Sequence, residues 1–210
     1  RTVVLHSYPT WLTQTQTWFY NQVRCLPASV ENHVACQQTA NLEQFRIPNI
    51  HAVSDRWPLR WRASRWPSRL RWSVYQSFLT SVARQTEARI LHSHFGNVSW
   101  LNLPTARRGG LLHVVSFYGL DVHQAPQADP KLKAGYREMF RQAAGVLCEG
   151  PHMADSIHRL GCPREKLRVH PLGVDMSRIE LKPRTLGAGQ PLRGLIAASF
   201  REKKGIFSVF

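Results

Sequence analysis

Short apolar runs and helical stripes alternate along most of the chain. Residues 2–6 (TVVLH), 33–37 (HVACQ), 50–53, 89–94 (RILHSH), 112–117 (LHVVSF) and 145–148 (GVLC) have the length of strands buried on both faces. Between them, Trp18, Phe19, Val23 and Leu26 fit one face of a helix within 11–26. Leu70, Val74, Phe78, Leu79 and Val82 predict a helix over 68–85, and Leu132, Tyr136, Met139, Phe140 and Ala143 another over 131–144. A helix over 97–108 is stopped by Gly109-Gly110. Continuous apolar strands alternating with amphipathic helices predict an α/β fold with a doubly wound, mostly parallel sheet.

Residues 143–175 carry this pattern most clearly. The run GVLC is stopped at Glu149-Gly150, and Pro151 suits the first position of a helix. Met153, Ile157 and Leu160 give that helix its apolar face, Gly161 ends it, and residues 167–169 open a second strand. Strand, helix and strand within about thirty residues is the size of one parallel crossover. The following stretch, MSRIELKPRTLGAGQ, has the composition of a linker, and residues 191–200 (PLRGLIAASF) read as a strand. The expected organisation is a domain over 1–178, a linker over 179–190 and the start of a second, similar domain over 191–210. The chain begins at Arg1 and stops inside what reads as a helix start, so it reads as a piece of a longer protein.

Hydrophobic residues make up 43% of the chain, enough for a packed core, and no apolar run approaches a membrane span. Cys25, Cys36, Cys148 and Cys162 form no C-x-x-C pair and no metal spacing, which suits a reducing, cytoplasmic compartment. The formal charge of +15 favours anionic partners such as nucleic acid, anionic lipid or phosphorylated substrates. Residues 1–130 hold 13 Arg and no Lys, and within 56–72 six arginines interleave with four tryptophans. That segment is either a solvated insertion or a surface that meets phosphates and lipid head groups at the inner face of a membrane.

The first strand is not followed by G-x-G-x-x-G, which counts against an ordinary dinucleotide-binding dehydrogenase. The order A-x-G-V-L-C-E, a helix, then L-G-C-P-R-E-K-L-R-V-H-P-L-G-V-D resembles the end of the N-terminal domain of family-four retaining glycosyltransferases. A second match is Arg201-Glu202-Lys203-Lys204-Gly205, similar to the G-R-x-x-E-K-K-G loop that opens their donor domain. The resemblance implies the GT-B architecture: two Rossmann-like domains with the active site in the cleft between them.

What it implies for function is transfer of a sugar from a nucleotide-sugar donor to a hydroxyl acceptor with retention, in polysaccharide or glycolipid biosynthesis. The partners implied are the nucleotide sugar and a glycan or lipid-linked acceptor. No cofactor, no metal and no nucleic acid are expected, and residues 1–210 alone are expected to be inactive. Lys204 matches the family's diphosphate-holding lysine; the arginine position is Ser199, and Arg201 lies two residues on.

In the family's F-H-G-x-D loop this chain reads Phe117-Tyr118-Gly119-Leu120-Asp121, so Tyr118 stands where a histidine approaches the donor sugar. A phenol with a pKa near 10 is a poor base but can hydrogen-bond a hydroxyl. Gly119 would let backbone approach a ligand, and Asp121 would orient the loop. His94, in the H-x-H at the end of 89–94, either borders the cleft or is structural. Thr15 and Gln16 fall in the family's first loop, with Gln16 in place of a glutamate; they either contact substrate or cap the helix. Two other readings remain open: a non-catalytic homologue, favoured by Tyr118, Gln16 and Ser199, and a basic nucleic-acid-binding module, favoured by charge alone.

Overall fold

The computed structural model describes residues 1–56, 67–183, 185, 187–191, 193–198, 200 and 202–208. Most of the arginine–tryptophan segment, residues 57–66, therefore lies outside the described residues, as do Ser199 and Arg201.

Seven parallel strands form the main sheet: β1 (Thr2–Ser7), β3 (Val30–Cys36), β5 (Ile50–Ala52), β6 (Ile90–His94), β7 (Leu112–Ser116), β8 (Gly145–Cys148) and β9 (Leu167–Val169). Their order across the sheet is β5-β3-β1-β6-β7-β8-β9. The chain thus runs outward from β1 on one side, returns to β6 beside β1, and runs outward on the other. The strand order reverses between β1 and β6, and in open α/β sheets a crevice forms there, at the carboxyl ends of the strands.

The helices follow the sequence pattern closely where packing alone sets them. Among the described residues they are α1 (Thr17–Arg24), α2 (Val53–Arg56), α3 (Ser68–Gln85), α4 (Gly96–Gly109), α5 (Leu120–His123), α6 (Ala125–Ala128), α7 (Pro130–Gln142) and α8 (Pro151–Arg159). Helix α4 stops at Gly110, whose φ of 61° is the left-handed conformation that a residue without Cβ adopts freely. Asp129 caps α7 by accepting from the Lys131 backbone N–H at 2.9 Å.

Helix α1 is shorter than the apolar stripe predicts. Thr10–Trp11 (β2) pairs with Gln38–Thr39 (β4) instead, and Trp11 is fully buried, donating its indole N–H to the Phe45 carbonyl at 2.8 Å. That long-range pairing removes the first turn from the helix.

Three apolar clusters hold the sheet between its helices. Leu5, Leu91, Tyr75, Leu79 and Val82 join β1 and β6 to α3; Val115, Phe117, Tyr136, Phe140 and Ile157 join β7 to α7 and α8; Tyr8, Trp11, Phe19 and Val34 join α1 to the β3 side. Cys36, Cys148 and Cys162 are buried thiols within these clusters, and all four cysteines are free.

Contacts divide the chain into two units, Arg1–Val174 and Asp175–Phe210. The second holds single turns at Met176–Arg178, Glu202–Lys204 and Ile206–Ser208. The strand expected over 191–200 does not form among the described residues there. A strand is held by its ladder partners, and the described residues of this unit offer none; Leu195 and Phe200 stand 91% and 85% exposed. Among the described residues, no helix is long and apolar enough to cross a membrane.

Candidate functional site

The strand register at the switch point sets the site. His6 of β1 pairs with His92 of β6, and β6 places His94 two residues further on the same face. Successive side chains alternate, so Ser7 and Ser93 point to the opposite face. There they form a separate buried network: Asn102 Nδ2 donates to Ser7 Oγ at 2.7 Å and to Ser93 Oγ at 3.1 Å.

On the first face a chain of hydrogen bonds runs from the sheet to the loop after β7. Asn32 Nδ2 donates to the Val23 carbonyl at 3.3 Å, which turns its amide oxygen toward His6 Nε2, 3.4 Å away. His6 Nε2 therefore carries the proton and Nδ1 accepts from His94 Nε2 at 3.1 Å. His94 Nδ1 in turn accepts from the Tyr118 hydroxyl at 2.6 Å. One set of neutral tautomers satisfies every link. Burial pushes the His6 imidazole down to about 4, against a weaker opposing pull from Asn32. Burial, then the neighbouring imidazoles, hold His92 and His94 well below the ordinary value.

Ring nitrogens of His6, His92 and His94 all lie within 4.8 Å of one another, a grouping that sequence spacing did not reveal. A metal held at about 2.0–2.1 Å by these nitrogens would have to replace the His6–His94 hydrogen bond. His92 Nε2 is also engaged, 2.8 Å from Ser116 Oγ.

Tyr118 closes this cluster from outside. Its ring lies 4.3 Å from that of Trp18 and 5.0 Å from that of Phe95, centroid to centroid. His94 is fully buried, and its Nδ1 is taken by the half-buried Tyr118 hydroxyl. Burial raises the Tyr118 phenol above its usual range, so it is a neutral donor to His94 rather than a base. The loop is fixed by Asp121, whose carboxylate accepts from the Tyr118 N–H at 3.0 Å and from the Gly96 N–H at the start of α4 at 2.8 Å. Burial raises the Asp121 pKa, and these backbone bonds pull it back. Gly119, between them, has φ of 109°, which an L side chain rarely adopts.

Next to Tyr118, at the carboxyl ends of β7, β8 and β9, lies a shallow recess lined by Gln22, Ser116, Glu149, His170 and Leu172, with Phe117, Leu147 and Cys148 as its apolar wall. Glu149 and Gln22 were not candidates from sequence. The available signal was position: Glu149 directly follows strand β8 at its carboxyl end, where open α/β sheets bind ligands.

Thr15 is exposed and Gln16 half-buried, both in a single turn, Gln14–Gln16, ahead of α1. Gln16 occupies the cap position of α1 without a side-chain capping bond, and its amide oxygen is buried without a partner. Lys204 is exposed in the 175–210 unit.

Residues 15–178 match the family model described as Glycosyltransferase Family 4. The chain belongs to that family. Two curated relatives carry the assignment of a colanic acid biosynthesis glycosyltransferase, WcaL. The Escherichia coli protein is 27% identical over 143 residues, covering 63% of this chain and 33% of the relative. The Salmonella typhimurium protein is 25% identical over 173 residues, covering 76% of this chain and 39% of the relative. The chain thus spans about a third of the length of the curated relatives it matches.

Among solved structures, Anabaena HepE in complex with UDP and glucose has a TM-score of 0.65 at 11% identity, covering 87% of this chain and 47% of that one. Sucrose-phosphate synthase from Thermosynechococcus elongatus has a TM-score of 0.63 at 8% identity, covering 84% and 49%. UDP-GlcNAc 2-epimerase from Neisseria meningitidis, bound to UDP-GlcNAc, has a TM-score of 0.59 at 12% identity, covering 80% and 45%. At these identities the likeness is one of fold: a Rossmann-like α/β domain, as family-four members have.

Proposed function

We propose that the protein carrying this chain transfers a sugar from a nucleotide-sugar donor to a hydroxyl acceptor with retention of configuration, in polysaccharide or glycolipid assembly. The observation that carries this reading is the family match over residues 15–178. Two facts support the finer statements: WcaL is assigned to colanic acid biosynthesis, and HepE holds UDP and glucose on a similar fold. In this reading the 1–174 unit supplies one wall of the cleft, with Tyr118, Gly119 and Asp121 at its rim. The test is a nucleotide-sugar panel assayed on the protein expressed from its complete reading frame, with product stereochemistry read by NMR. Acceptor-dependent release of nucleotide diphosphate with retained configuration is expected; inverted product, or hydrolysis alone, would sink the reading.

Donor contacts fall to the basic turn that holds Lys204, with Arg201 and Ser199 beside it in sequence. Replacing Lys204 with alanine in the complete protein is expected to weaken nucleotide-sugar binding by about 1.5–3 kcal/mol, the range for a charge-assisted hydrogen bond. Calorimetry showing unchanged affinity would move the phosphate contact elsewhere.

One observation favours a second reading, a non-catalytic homologue: His94 is sealed behind Tyr118 and presents no imidazole to the cleft. The same panel separates the two, because a non-catalytic homologue binds sugars without turning them over.

A further inference from the structure

We infer that His6, His92 and His94 form a binding site for one divalent ion of the zinc class, which clasps β1 to β6 at the switch point. The site stands apart from the glycosyl-transfer reading and does not depend on it.

The first observation is how the three imidazoles are held. Each has one ring nitrogen engaged by an oxygen outside the triad. His6 Nε2 lies 3.4 Å from Asn32 Oδ1, His92 Nε2 2.8 Å from Ser116 Oγ, and His94 Nδ1 2.6 Å from the Tyr118 hydroxyl. That leaves His6 Nδ1, His92 Nδ1 and His94 Nε2 as the nitrogens to offer an ion. Oxygen partners on the outer nitrogens orient imidazoles around a metal, because they fix both the ring and its tautomer.

Spacing is the second. His6 Nδ1 and His94 Nε2 are 3.1 Å apart, and ligand nitrogens of all three residues fall within 4.8 Å. A tetrahedral ion with bonds of about 2.0–2.1 Å needs its nitrogens about 3.3–3.4 Å apart. The first pair is within about 0.3 Å of that distance, and His92 has at most about 1.5 Å to close. Binding replaces the His6–His94 hydrogen bond by two bonds to the ion.

The surroundings are the third. Imidazole nitrogen suits zinc, copper and nickel better than magnesium or calcium. The chain as a whole is strongly cationic, yet Asp121 and Glu149 both act electrostatically on Tyr118, the neighbour of His94. Two carboxylates there offset part of the cost of burying a cation. The Tyr8 hydroxyl is buried without a hydrogen-bond partner, in a ring centred 5.8 Å from that of His94. A solvent molecule completing the tetrahedron would give it one.

Binding moves one proton and releases none. The His94 proton passes from Nε2, which takes the ion, to Nδ1. Tyr118 then accepts from His94 Nδ1 instead of donating to it.

The experiment uses the complete protein without a histidine tag, stripped by a chelator and titrated with Co²⁺, then Zn²⁺. One ion per chain is expected, with the ligand-field spectrum of four-coordinate cobalt. X-ray absorption of the zinc-loaded protein should count three imidazoles at about 2.0–2.1 Å. His92→Ala should weaken binding about a hundredfold or more, and Ser116→Ala, which keeps all three ligands, about tenfold or more. His33 and His51 are the control: they share a 3.1 Å contact at the β3–β5 edge, and His33→Ala should leave the affinity unchanged.

A variant that fails to fold leaves the unmutated protein to decide. With ¹⁵N-labelled histidine, zinc should move the His94 proton from Nε2 to Nδ1. No uptake from excess Co²⁺, fewer than three imidazoles, an unmoved His94 proton, or affinity lost in His33→Ala but not in His92→Ala overturns the inference. Sugar transfer is not among the readouts, so such a failure leaves the transferase reading where it stands.

Discussion

Between pH 6.5 and 4 the protein is expected to lose several kcal/mol of stability, far more steeply than its carboxylates would require. The cause is buried neutral imidazole. Burial brings His6 and His113 down to about 4, and His92 and His94 lie well below the ordinary 6.5. Unfolded, each takes a proton near pH 6.5; folded, each resists until much lower pH. In that window the unfolded state binds more protons, so stability is complete above pH 6.5 and drains away as pH falls.

For His6 alone, the difference amounts to about 3 kcal/mol at pH 4. His113 contributes similarly, and its buried Nδ1 has no partner to receive a new N–H. Asp121 and Glu149, whose pKa values are raised, gain stability on acidification and offset part of the loss. Against a total of about 5–15 kcal/mol for a typical domain, the histidines win. Urea midpoints from pH 7.5 to 4.5 check this: a steep, cooperative fall below pH 6.5 is expected, and a flat profile to pH 5 would show that these imidazoles are solvated or already charged.

Replacing Gly96 with alanine is expected to destabilise the fold by about 3 kcal/mol or more and to disorder the Tyr118 loop. A Cβ there would overlap Phe117 Cε1 and lie 2.7 Å from the Tyr136 hydroxyl. Both rings are fully buried, so neither can step aside without repacking the α7 side of the core. Overpacking of this kind costs about 1–3 kcal/mol, and the contact is backed by a hydrogen-bond set that must move with it. The Gly96 N–H donates to Asp121, the Tyr136 hydroxyl donates to the Asp121 carbonyl at 3.0 Å, and Asp121 holds the Tyr118 N–H. Adding Phe117→Leu should return part of the loss by vacating the space. Additive effects in that double-mutant cycle, or a single variant as stable as the parent, would refute the steric account.

Local pattern read the scaffold well. The helix over 68–85 and the strand at 145–148 form with the expected bounds, because an amphipathic stripe and a short apolar run each specify their own backbone. The first helix was read as starting at Trp11, ahead of the stripe of Trp18, Phe19, Val23 and Leu26 that predicts it. Only pairing of β2 with β4, whose residues lie 28 apart in the chain, shows that Trp11 belongs to a strand.

The site was legible one strand at a time. The H-x-H ending at His94, the Tyr118-Gly119 loop and Asp121 each stand at a strand end and could be singled out by position and motif. Their relations could not. His6 and His94 are 88 residues apart and bond because β1 and β6 are sheet neighbours, a consequence of the chain doubling back rather than of either segment.

That doubling back also buries His94 beneath Tyr118 and sets Gln22 of α1 in one recess with Glu149 after β8. The sequence by itself determined most of the strands and helices of the 1–174 unit, because backbone preference and amphipathic period are properties of neighbours along the chain. The tertiary structure decided which polar groups meet, which stay unpaired and which reach the cleft. Those outcomes depend on strand order and register, and a register fixes partners only once both strands are in place.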